Sequence, residues 1–306
     1  MTVRRSVFVC PGQGSQKPGM LADVPENDAL ERLTDAAEAL SGLPLRELAA
    51  SEDPAALADT RAAQPLLYLA DWGWASTLIE CDLIPDLIAG HSLGELAALA
   101  AADVFSVEAG LELVVERSRL MAACAEATPG GMAAVLGMTA HDIAAIIDGI
   151  DGVWVANDNS PSQVVISGTH EALETATELL GEAGARKVIP LKVAGPFHSP
   201  LMEPARAAFA RVLADTEFND AQIPVVQNTM PMPASDAATI RRHLIGQITS
   251  PVRWTETMQA LTADAETAVI ECGPGRVLTG LARGYEHVTA YPIDETQIEF
   301  IAEEVM

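Results

Sequence analysis

The stretch DLIAGHSLGELAALAAA, residues 86–102, decides the fold of this chain. An apolar run, typical of a short buried strand, passes through a Gly-x-Ser-x-Gly sequence directly into an alanine-rich segment, typical of a helix. Glycines at positions 90 and 94 allow a tight strand-to-helix turn, so Ser92 is expected to point out of the sheet as a nucleophile elbow. The backbone NH groups that begin the helix, including that of Leu93, would face the serine oxygen and stabilise an oxyanion. The alternative is a glycine-serine turn without a catalytic role.

Strands and helices alternate on both sides of this turn. The run SVFVC, residues 6–10, predicts a strand that ends in the turn-rich loop PGQGSQKPG. Helical periodicity follows over residues 27–40 and 60–81. Ser106 is expected to cap a long helix that reaches Cys124. This alternation is typical of an α/β fold with a parallel sheet.

Residues 130–195 contain shorter elements in the order βαββαβ, which is the ferredoxin-like arrangement. We interpret them as a small subdomain inserted into a large α/β subdomain that is formed by residues 1–129 and 196–306. The acidic tail, residues 295–306, is expected to fray. After the insertion, the large subdomain is predicted to resume with helices over 203–214, 236–249, 255–264 and from Val277, and with strands over 224–228 and 268–273.

The chain is strongly acidic. Its 306 residues contain 18 Lys and Arg against 43 Asp and Glu, which gives a formal net charge of -25. This charge repels phosphate backbones and anionic membrane surfaces, so nucleic acid is not expected as a partner. An acidic substrate or partner would need a local basic site set against the global charge.

The cysteine pattern and the apolar stretches bear on the compartment. Four cysteines lie far apart without a C-x-x-C pair, and the first ten residues lack the apolar core of a signal peptide. The most apolar long stretch, residues 65–84, is interrupted by Asp71, Glu80 and Asp82. We therefore expect a cytoplasmic protein with no membrane span, no metal site and no resident cofactor.

A serine hydroxyl needs a nearby base, which is usually a histidine. Of the six histidines, His198 is the best candidate, because Pro196 and Pro200 flank it in a stiff segment where the chain returns from the insertion. A purely structural histidine is the alternative. The side chain of His91 should point away from Ser92. The remaining histidines fall in first turns of helices, in a helical segment or in a late loop: His141, His170, His243 and His287.

The loop PGQGSQ, residues 11–16, follows the first predicted strand. In a parallel α/β sheet, ligands gather at the carboxyl ends of strands, so this loop and the serine turn should share one crevice. A backbone NH near Gln13 is therefore expected to be a second oxyanion donor. A phosphate-binding glycine loop is the alternative, but the GxGxxG spacing and the Lys-Ser/Thr pair are missing.

The helix that follows Ser106 carries Arg117 and Arg119, which point to nearly opposite sides. Arg117 lies on the apolar face, whereas Arg119 lies three residues after Glu116 on the more polar side. A buried arginine requires a partner, because an unpaired buried charge is costly. Either a structural acid satisfies it, or a substrate carboxylate binds its planar guanidinium in bidentate fashion. The second option would give this acidic protein one positive pocket for an anionic acyl group.

These motifs together resemble those of the malonyl-CoA:acyl carrier protein transacylases, in the acyltransferase family of fatty-acid and polyketide synthesis. The resemblance covers nearly the whole chain, in the family's order and spacing. It implies a hydrolase-like α/β subdomain with a parallel sheet plus a ferredoxin-like one, with the active site between them. The motifs are PGQGSQ, AAQPLLY, GHSLGE, ERSRLM, NSPSQVVISG, FHSPLM, SPVRWTETM and ECGPGRVLTGL.

The resemblance also implies a role for each candidate residue. Ser92 would be the nucleophile that becomes acylated, His198 its base, and Arg117 the clamp on the malonyl carboxylate. The other positions would be Gln13 and Leu93, oxyanion donors through their backbone NH groups, and Gln247, whose backbone carbonyl would orient the histidine.

The implied reaction is a ping-pong transfer of the malonyl group from malonyl-CoA, a substrate, to the phosphopantetheine thiol of acyl carrier protein. Fatty-acid synthesis is the expected pathway and a monomer the expected state. Because the chain is so acidic, docking of an acidic carrier protein predicts basic residues concentrated near the crevice mouth. The alternatives are a free-standing polyketide acyltransferase, the transferase of a malonate decarboxylase, an α/β-hydrolase thioesterase, or a noncatalytic binding module.

Overall fold

The computed structural model describes residues 5–25, 27–263, 265–293, 296 and 298–305. Its strands are β1 (Arg5–Cys10), β2 (Leu87–Gly90), β3 (Gly131–Leu136), β4 (Val153–Ser160), β5 (Gln163–Gly168), β6 (Lys187–Pro190), β7 (Val225–Val226), β8 (Thr267–Glu271) and β9 (Val288–Pro292). Its α-helices are α1 (Asp28–Ser41), α2 (Leu45–Ala50), α3 (Thr60–Glu80), α4 (Gly94–Ala101), α5 (Val107–Ala127), α6 (Ala140–Ile147), α7 (His170–Glu182), α8 (Glu203–Asp215), α9 (Ala237–Gly246), α10 (Trp254–Thr262), α11 (Val277–Ala282) and α12 (Ile298–Val305).

The larger sheet is parallel, and among the described strands its order is β7-β2-β1-β8-β9. Strand β1 pairs with β2 on one side and with β8 on the other. The loop after β1 and the serine turn after β2 therefore emerge side by side at the carboxyl edge, where ligands of such sheets bind.

Both faces of this sheet are covered, which explains why its three central strands, β2, β1 and β8, are almost entirely buried. Alternate residues of β1 point to opposite faces. Phe8 belongs to the main hydrophobic cluster, which includes residues of α3, α4 and α5. Val7 and Val9 belong to a second cluster, which includes Met258 of α10 and Leu278 of α11.

The smaller sheet is antiparallel, with the strand order β4-β5-β3-β6. Because its elements follow one another as β3-α6-β4-β5-α7-β6, this is the ferredoxin-like arrangement, and all its elements fall within residues 130–195. Helices α6 and α7 cover one face through residues such as Ile143 and Ala176. On the other face, Met132 and Val165 join the core of the large subdomain. The predicted fold class is confirmed.

Local signals placed most element boundaries correctly. Ser106 caps α5, since its hydroxyl accepts the backbone NH of Ala109 at 3.1 Å. The helix then continues to Ala127, three residues beyond the predicted end at Cys124. Among the described residues, no helix is long and apolar enough to cross a membrane.

The prediction that the tail frays is wrong for the part that the structure describes. Residues Ile298–Val305 form α12, because Ile298, Ile301 and Ala302 recur at helical spacing and pack against the main core. Residues 295, 297 and 306 of the predicted tail lie outside the described residues. Helix α2 and strand β9 were not predicted.

The predicted helix over 236–249 also needs correction. Helix α9 ends at Gly246, and a tighter 3-10 turn follows at Gln247–Thr249. The predicted helix over 255–264 is Trp254–Thr262, and residue 264 lies outside the described residues. The tighter turn matters for the site, because it aims the carbonyl of Gln247 at a catalytic candidate described below.

Candidate active site

The turn between β2 and α4 is as tight as the sequence predicts. A Cβ atom on Gly90 would lie 2.0 Å from the carbonyl oxygen of Gly94, and a Cβ on Gly94 would lie 2.1 Å from the carbonyl oxygen of Cys10. Only glycine fits at either position. Between them, Ser92 adopts a positive φ of 52°, a left-handed conformation that residues with a Cβ rarely occupy.

The Ser92 hydroxyl and the His198 ring are in direct contact. The distance from Ser92 Oγ to His198 Nε2 is 2.7 Å. On the other side of the ring, Nδ1 lies 3.1 Å from the carbonyl oxygens of both Gln247 and Ser250. Carbonyls can only accept, so Nδ1 carries the hydrogen and Nε2 is left as the acceptor for the serine hydroxyl. This is the tautomer that a general base requires.

The surroundings of His198 keep its ring neutral. Burial, the positive charge of Arg117 and the nearby His91 together lower the pKa of this imidazole to about 3, and burial has the largest effect. The two carbonyls that accept from Nδ1 oppose this effect only partly. At neutral pH the ring is therefore able to accept the serine proton.

Arg117 lies fully buried beside the same hydroxyl. Its Nη1 donates to Gln64 Oε1 at 2.7 Å, and its Nη2 donates to Gln247 Oε1 at 3.0 Å and to Ser92 Oγ at 3.2 Å. Burial lowers the pKa of the guanidinium to about 10, so it stays charged at neutral pH. Its Nε has no partner among the described residues.

The contacts of Arg117 distinguish between a structural acid and a ligand carboxylate as its partner. No carboxylate among the described residues forms an ion pair with Arg117, and neutral amide oxygens hold it instead. The negative charge of Glu95 raises the pKa of Arg117, which opposes the effect of burial. The geometry therefore favours an arginine that keeps its charge available for a ligand. Arg119 instead pairs with Glu116 at 2.6 Å on the exposed side of the helix, as predicted.

Gln247 contacts all three of these residues. Its backbone carbonyl accepts from His198, its Oε1 accepts from Arg117, and its Nε2 donates to the carbonyl of Ser92 at 2.9 Å. Of these contacts, only the first is implied by the family resemblance. Ser250, the second carbonyl on the histidine ring, was missed.

Asn228 supports the serine turn from behind and was also missed. Its Oδ1 accepts the backbone NH of Ser92 at 2.7 Å, and its Nδ2 donates to the carbonyl of Gly90 at 2.6 Å. Its own NH donates to Glu95 at 2.8 Å. Its position after a strand could have indicated a role in the site. Asn228 follows β7, and the carboxyl end of β7 lies beside that of β2 in the sheet.

The two residues predicted to donate to an oxyanion, Gln13 and Leu93, line the same cavity as Ser92. The loop after β1 touches the serine turn, since a Cβ on Gly12 would lie 2.4 Å from the carbonyl oxygen of His91. Among the described residues, the backbone NH groups of Gln13 and Leu93 have no hydrogen-bond partner. The side chain of Gln13 is held separately, by a 3.2 Å hydrogen bond to Thr60 Oγ1. Both NH groups are therefore free to donate to a ligand.

A cavity of about 370 Å³ opens onto these groups. Ser92 and His198 line it, together with residues of both subdomains. The wall residues include Gln13 and Gln64, Met132 and Val165 of the small sheet, Leu191 and Val193 after it, and Val277 and Leu281 of α11.

The other histidines do not contact Ser92 Oγ. The ring of His91 bonds to Asn159 at 2.9 Å and packs against Trp254, so it points away from the hydroxyl as expected. His141 and His170 lie in first turns of α6 and α7. No cluster of His, Cys, Asp or Glu in the described part of the chain could hold a metal ion.

Comparison with known proteins agrees with this geometry. The acyl transferase domain family matches residues 7–296. The chain belongs to this family. Within the family, the chain is 40% identical over 279 residues to the malonyl CoA-acyl carrier protein transacylase of Synechocystis. The aligned region covers 91% of this chain and 93% of that protein. The transacylase of the same name from Bacillus subtilis is 40% identical over 281 residues, covering 90% of this chain and 89% of that protein.

Solved structures of the family also superimpose closely. FabD from Acinetobacter baumannii has a TM-score of 0.90 at 35% identity and covers 100% of this chain and 99% of that chain. A malonyl-transacylase in complex with a type II PKS acyl-carrier protein has a TM-score of 0.89 at 36% identity, covering 98% and 99%. The resemblance predicted from the motifs and the acyltransferase class are confirmed. The roles of the individual residues remain predictions.

Proposed function

We propose that this acyltransferase moves a malonyl group from malonyl-CoA to the phosphopantetheine thiol of acyl carrier protein through an ester on Ser92. One observation carries the choice of acyl group. A fully buried guanidinium, with no carboxylate paired to it among the described residues, lies 3.2 Å from the hydroxyl that would be acylated. An acyl chain ending in a carboxylate would supply the missing partner for Arg117 while its carbonyl carbon reaches Ser92.

The first half-reaction uses each group in the observed arrangement. The Ser92 hydroxyl gives its proton to Nε2 of His198 as its oxygen bonds to the thioester carbon. The backbone NH groups of Gln13 and Leu93 stabilise the resulting oxyanion. The carbon–sulfur bond then breaks, and the leaving thiolate of coenzyme A takes the proton from His198.

The second half-reaction reverses these roles. The carrier's thiol gives its proton to His198 and attacks the malonyl ester, and the bond to Ser92 Oγ breaks. The serine oxygen recovers the proton from the imidazolium, which restores the free enzyme. The carbonyls of Gln247 and Ser250 hold the ring in one tautomer throughout, so no aspartate is needed in this dyad.

Intact-mass measurement tests the proposal. Incubation with malonyl-CoA should add one malonyl group to the wild-type protein and none to Ser92→Ala, and added holo-acyl carrier protein should remove the adduct as malonyl carrier. Rapid release of free malonate without carrier would instead indicate a thioesterase. Full carrier malonylation by Ser92→Ala would refute the covalent route.

The setting of the reaction follows from the same resemblance. We assign the transfer to fatty-acid synthesis in the cytoplasm by a monomer. The free thiols of Cys10, Cys81, Cys124 and Cys272 support a reducing compartment. A polyketide pathway would use the same chemistry, and the partner copurifying with the protein from its own cells would distinguish the two.

A further inference from the structure

The loop that carries the backbone NH of Gln13 is held by packing in its first half only. Pro11 and Gly12 are buried, and a Cβ on Gly12 would lie 2.4 Å from the carbonyl oxygen of His91. Neighbouring backbone therefore fixes where the loop begins. Gly14, by contrast, is exposed, and nothing lies within 4 Å of a Cβ added to it. Packing does not hold this second half of the loop.

The exposed half is a tight turn whose middle peptide has two possible directions. The NH of Ser15 donates to the carbonyl of Gly12 at 3.2 Å, which closes a β-turn over residues 12–15. Gly14, the third residue of this turn, has a φ of 113°, in the left-handed region. A positive φ at the third position is typical of a type II turn, in which the peptide between the second and third residues is flipped relative to type I. Here that peptide joins Gln13 to Gly14.

The side chain of Gln16 holds this peptide in the observed direction. Its Oε1 accepts the NH of Gly14 at 2.6 Å, and its Nε2 donates to the carbonyl of Leu57 at 3.2 Å. Leu57 ends a 3-10 helix, Pro54–Leu57, which lies just before α3 in the chain. Because a carbonyl can only accept, the amide nitrogen of Gln16 faces Leu57 and the amide oxygen faces Gly14. The second contact thus fixes the orientation of the first.

The neighbouring glutamine is tied to the same support. Gln13 Nε2 donates to Thr60 Oγ1 at 3.2 Å, so the two glutamines attach the loop to the start of α3 and to the 3-10 helix before it. Gly14 lines the catalytic cavity together with Ser92, whereas Gln16 lies behind the turn and outside that lining. Gln16 can therefore act on the reaction only through the loop.

We infer that Gln16 is a positioning residue for the oxyanion hole, which locks the turn so that the backbone NH of Gln13 is aimed at the oxygen that becomes negative during transfer. This inference rests on the proposed function and adds a residue that does not touch the substrate. Gln13 is the second residue of the turn, so its NH moves when the turn changes shape. Without Gln16, one 3.2 Å hydrogen bond would remain inside the turn. The donor would then lose the preorganisation on which its effect depends.

Replacing Gln16 by leucine, which removes both hydrogen bonds at similar size, tests the inference. An oxyanion forms in both half-reactions. We therefore expect the maximal rate of Ser92 malonylation, and the rate of transfer from the isolated malonyl-enzyme to saturating holo-acyl carrier protein, to fall by the same factor of about ten. Removing one oxyanion donor costs about 100- to 1,000-fold in kcat, so a donor that is present but badly aimed should cost less. The malonyl-CoA concentration that gives half the maximal rate should change less than twofold.

Two further variants make the test specific, and the melting temperature of each is measured alongside. Gln16→Glu keeps an oxygen that can accept the NH of Gly14 but loses the donor to Leu57, so both rates should fall only about threefold. Gln259→Leu makes the same substitution as Gln16→Leu at an exposed position of α10 and should leave both rates near those of the wild type. If Gln16→Leu does not fold, the equal fall of both rates in Gln16→Glu decides the question.

Several results would overturn the positioning role. Unchanged rates in Gln16→Leu would do so, and so would an equal loss in Gln16→Glu, because the acceptor for Gly14 would then have no effect. Slowing of the second half-reaction alone would indicate that Gln16 contacts the carrier. A rise in the half-saturating concentration of malonyl-CoA alone would indicate that it binds this substrate.

The failure of this inference and of the proposed function can be told apart. If the wild-type protein forms no malonyl adduct on Ser92, the function itself is wrong and the inference falls with it. If the wild type forms the adduct and transfers it to the carrier, but Gln16→Leu does both equally fast, only the positioning role is wrong.

Discussion

Replacing Arg117 by alanine should turn a malonyl-selective site into one that no longer distinguishes acyl groups by charge. The guanidinium is completely buried, and two glutamine side chains, Gln64 and Gln247, hold it beside Ser92 Oγ. An acetyl group offers it nothing, whereas the malonyl carboxylate can bind it in bidentate fashion. The variant therefore removes an interaction that only one of the two substrates makes.

The expected loss of transition-state stabilisation can be estimated from the hydrogen bonds that the guanidinium would make to the malonyl carboxylate. A hydrogen bond to a charged group contributes about 1.5–3 kcal/mol, and a bidentate pair contains two. Displacing the contacts of Arg117 with Gln247 and Ser92 offsets part of this gain, which leaves about 3–4 kcal/mol. Since about 1.4 kcal/mol corresponds to a factor of ten, kcat/KM for malonyl-CoA should fall roughly 100- to 1,000-fold. The value for acetyl-CoA should stay within about threefold.

The assay is the rate of adduct formation on Ser92, followed by quenched intact-mass measurement with each acyl-CoA. Arg119→Ala is the matched control, because Arg119 lies on the same helix but pairs with Glu116 at the surface. Its preference for malonyl should equal that of the wild type. An unchanged malonyl-to-acetyl ratio in Arg117→Ala, with an unchanged melting temperature, would refute the assignment of the clamp.

Four further outcomes are expected. Because burial and Arg117 hold the pKa of His198 near 3 rather than 6.5, the rate of Ser92 malonylation should show no acid limb between pH 7 and about 5; a midpoint near 6.5 would contradict this. The pKa of His198 is lower in the folded than in the unfolded state, so the unfolded state binds a proton first as the pH falls. The free energy of unfolding should therefore decrease between about pH 6.5 and 3, which urea titration can measure. Asn228→Ala should lower kcat about 10- to 100-fold with little change in KM, since each backbone group it leaves unpaired costs about 1–3 kcal/mol; equal kinetics would refute its positioning role. Gly90→Ala should abolish malonylation and lower the melting temperature, whereas Gly181→Ala, which has open space, should do neither.

The serine turn could be predicted because its determinants are local. Gly90, Ser92 and Gly94 lie within five residues, and the strand and helix beside them have their own apolar patterns. The same holds for the Ser106 cap and for the βαββαβ order of the small subdomain. Such features can be predicted because local preferences there agree with the final fold.

The supporting residues could not be predicted in the same way. Asn228 lies 136 positions from Ser92, and Gln64 lies 53 positions from Arg117, so only the sheet order and helix packing bring them together. Gln247 was identified by resemblance, but the contacts of its side chain depend on the 3-10 turn that ends α9. The tail was misjudged for a different reason, because its charge was given more weight than the helical spacing of its apolar residues.

The backbone of the two reacting residues has a consequence for how this protein can change. Ser92 and His198 both hold left-handed conformations, with φ values of 52° and 56°. Each costs about 1 kcal/mol or more relative to glycine, which adopts such angles freely. Glycine would relieve this strain, but it would also remove the hydroxyl and the imidazole, and at position 198 it would leave the carbonyls of Gln247 and Ser250 without their donor. Thermostable variants of this chain should be sought elsewhere in the molecule, with activity screened alongside melting temperature.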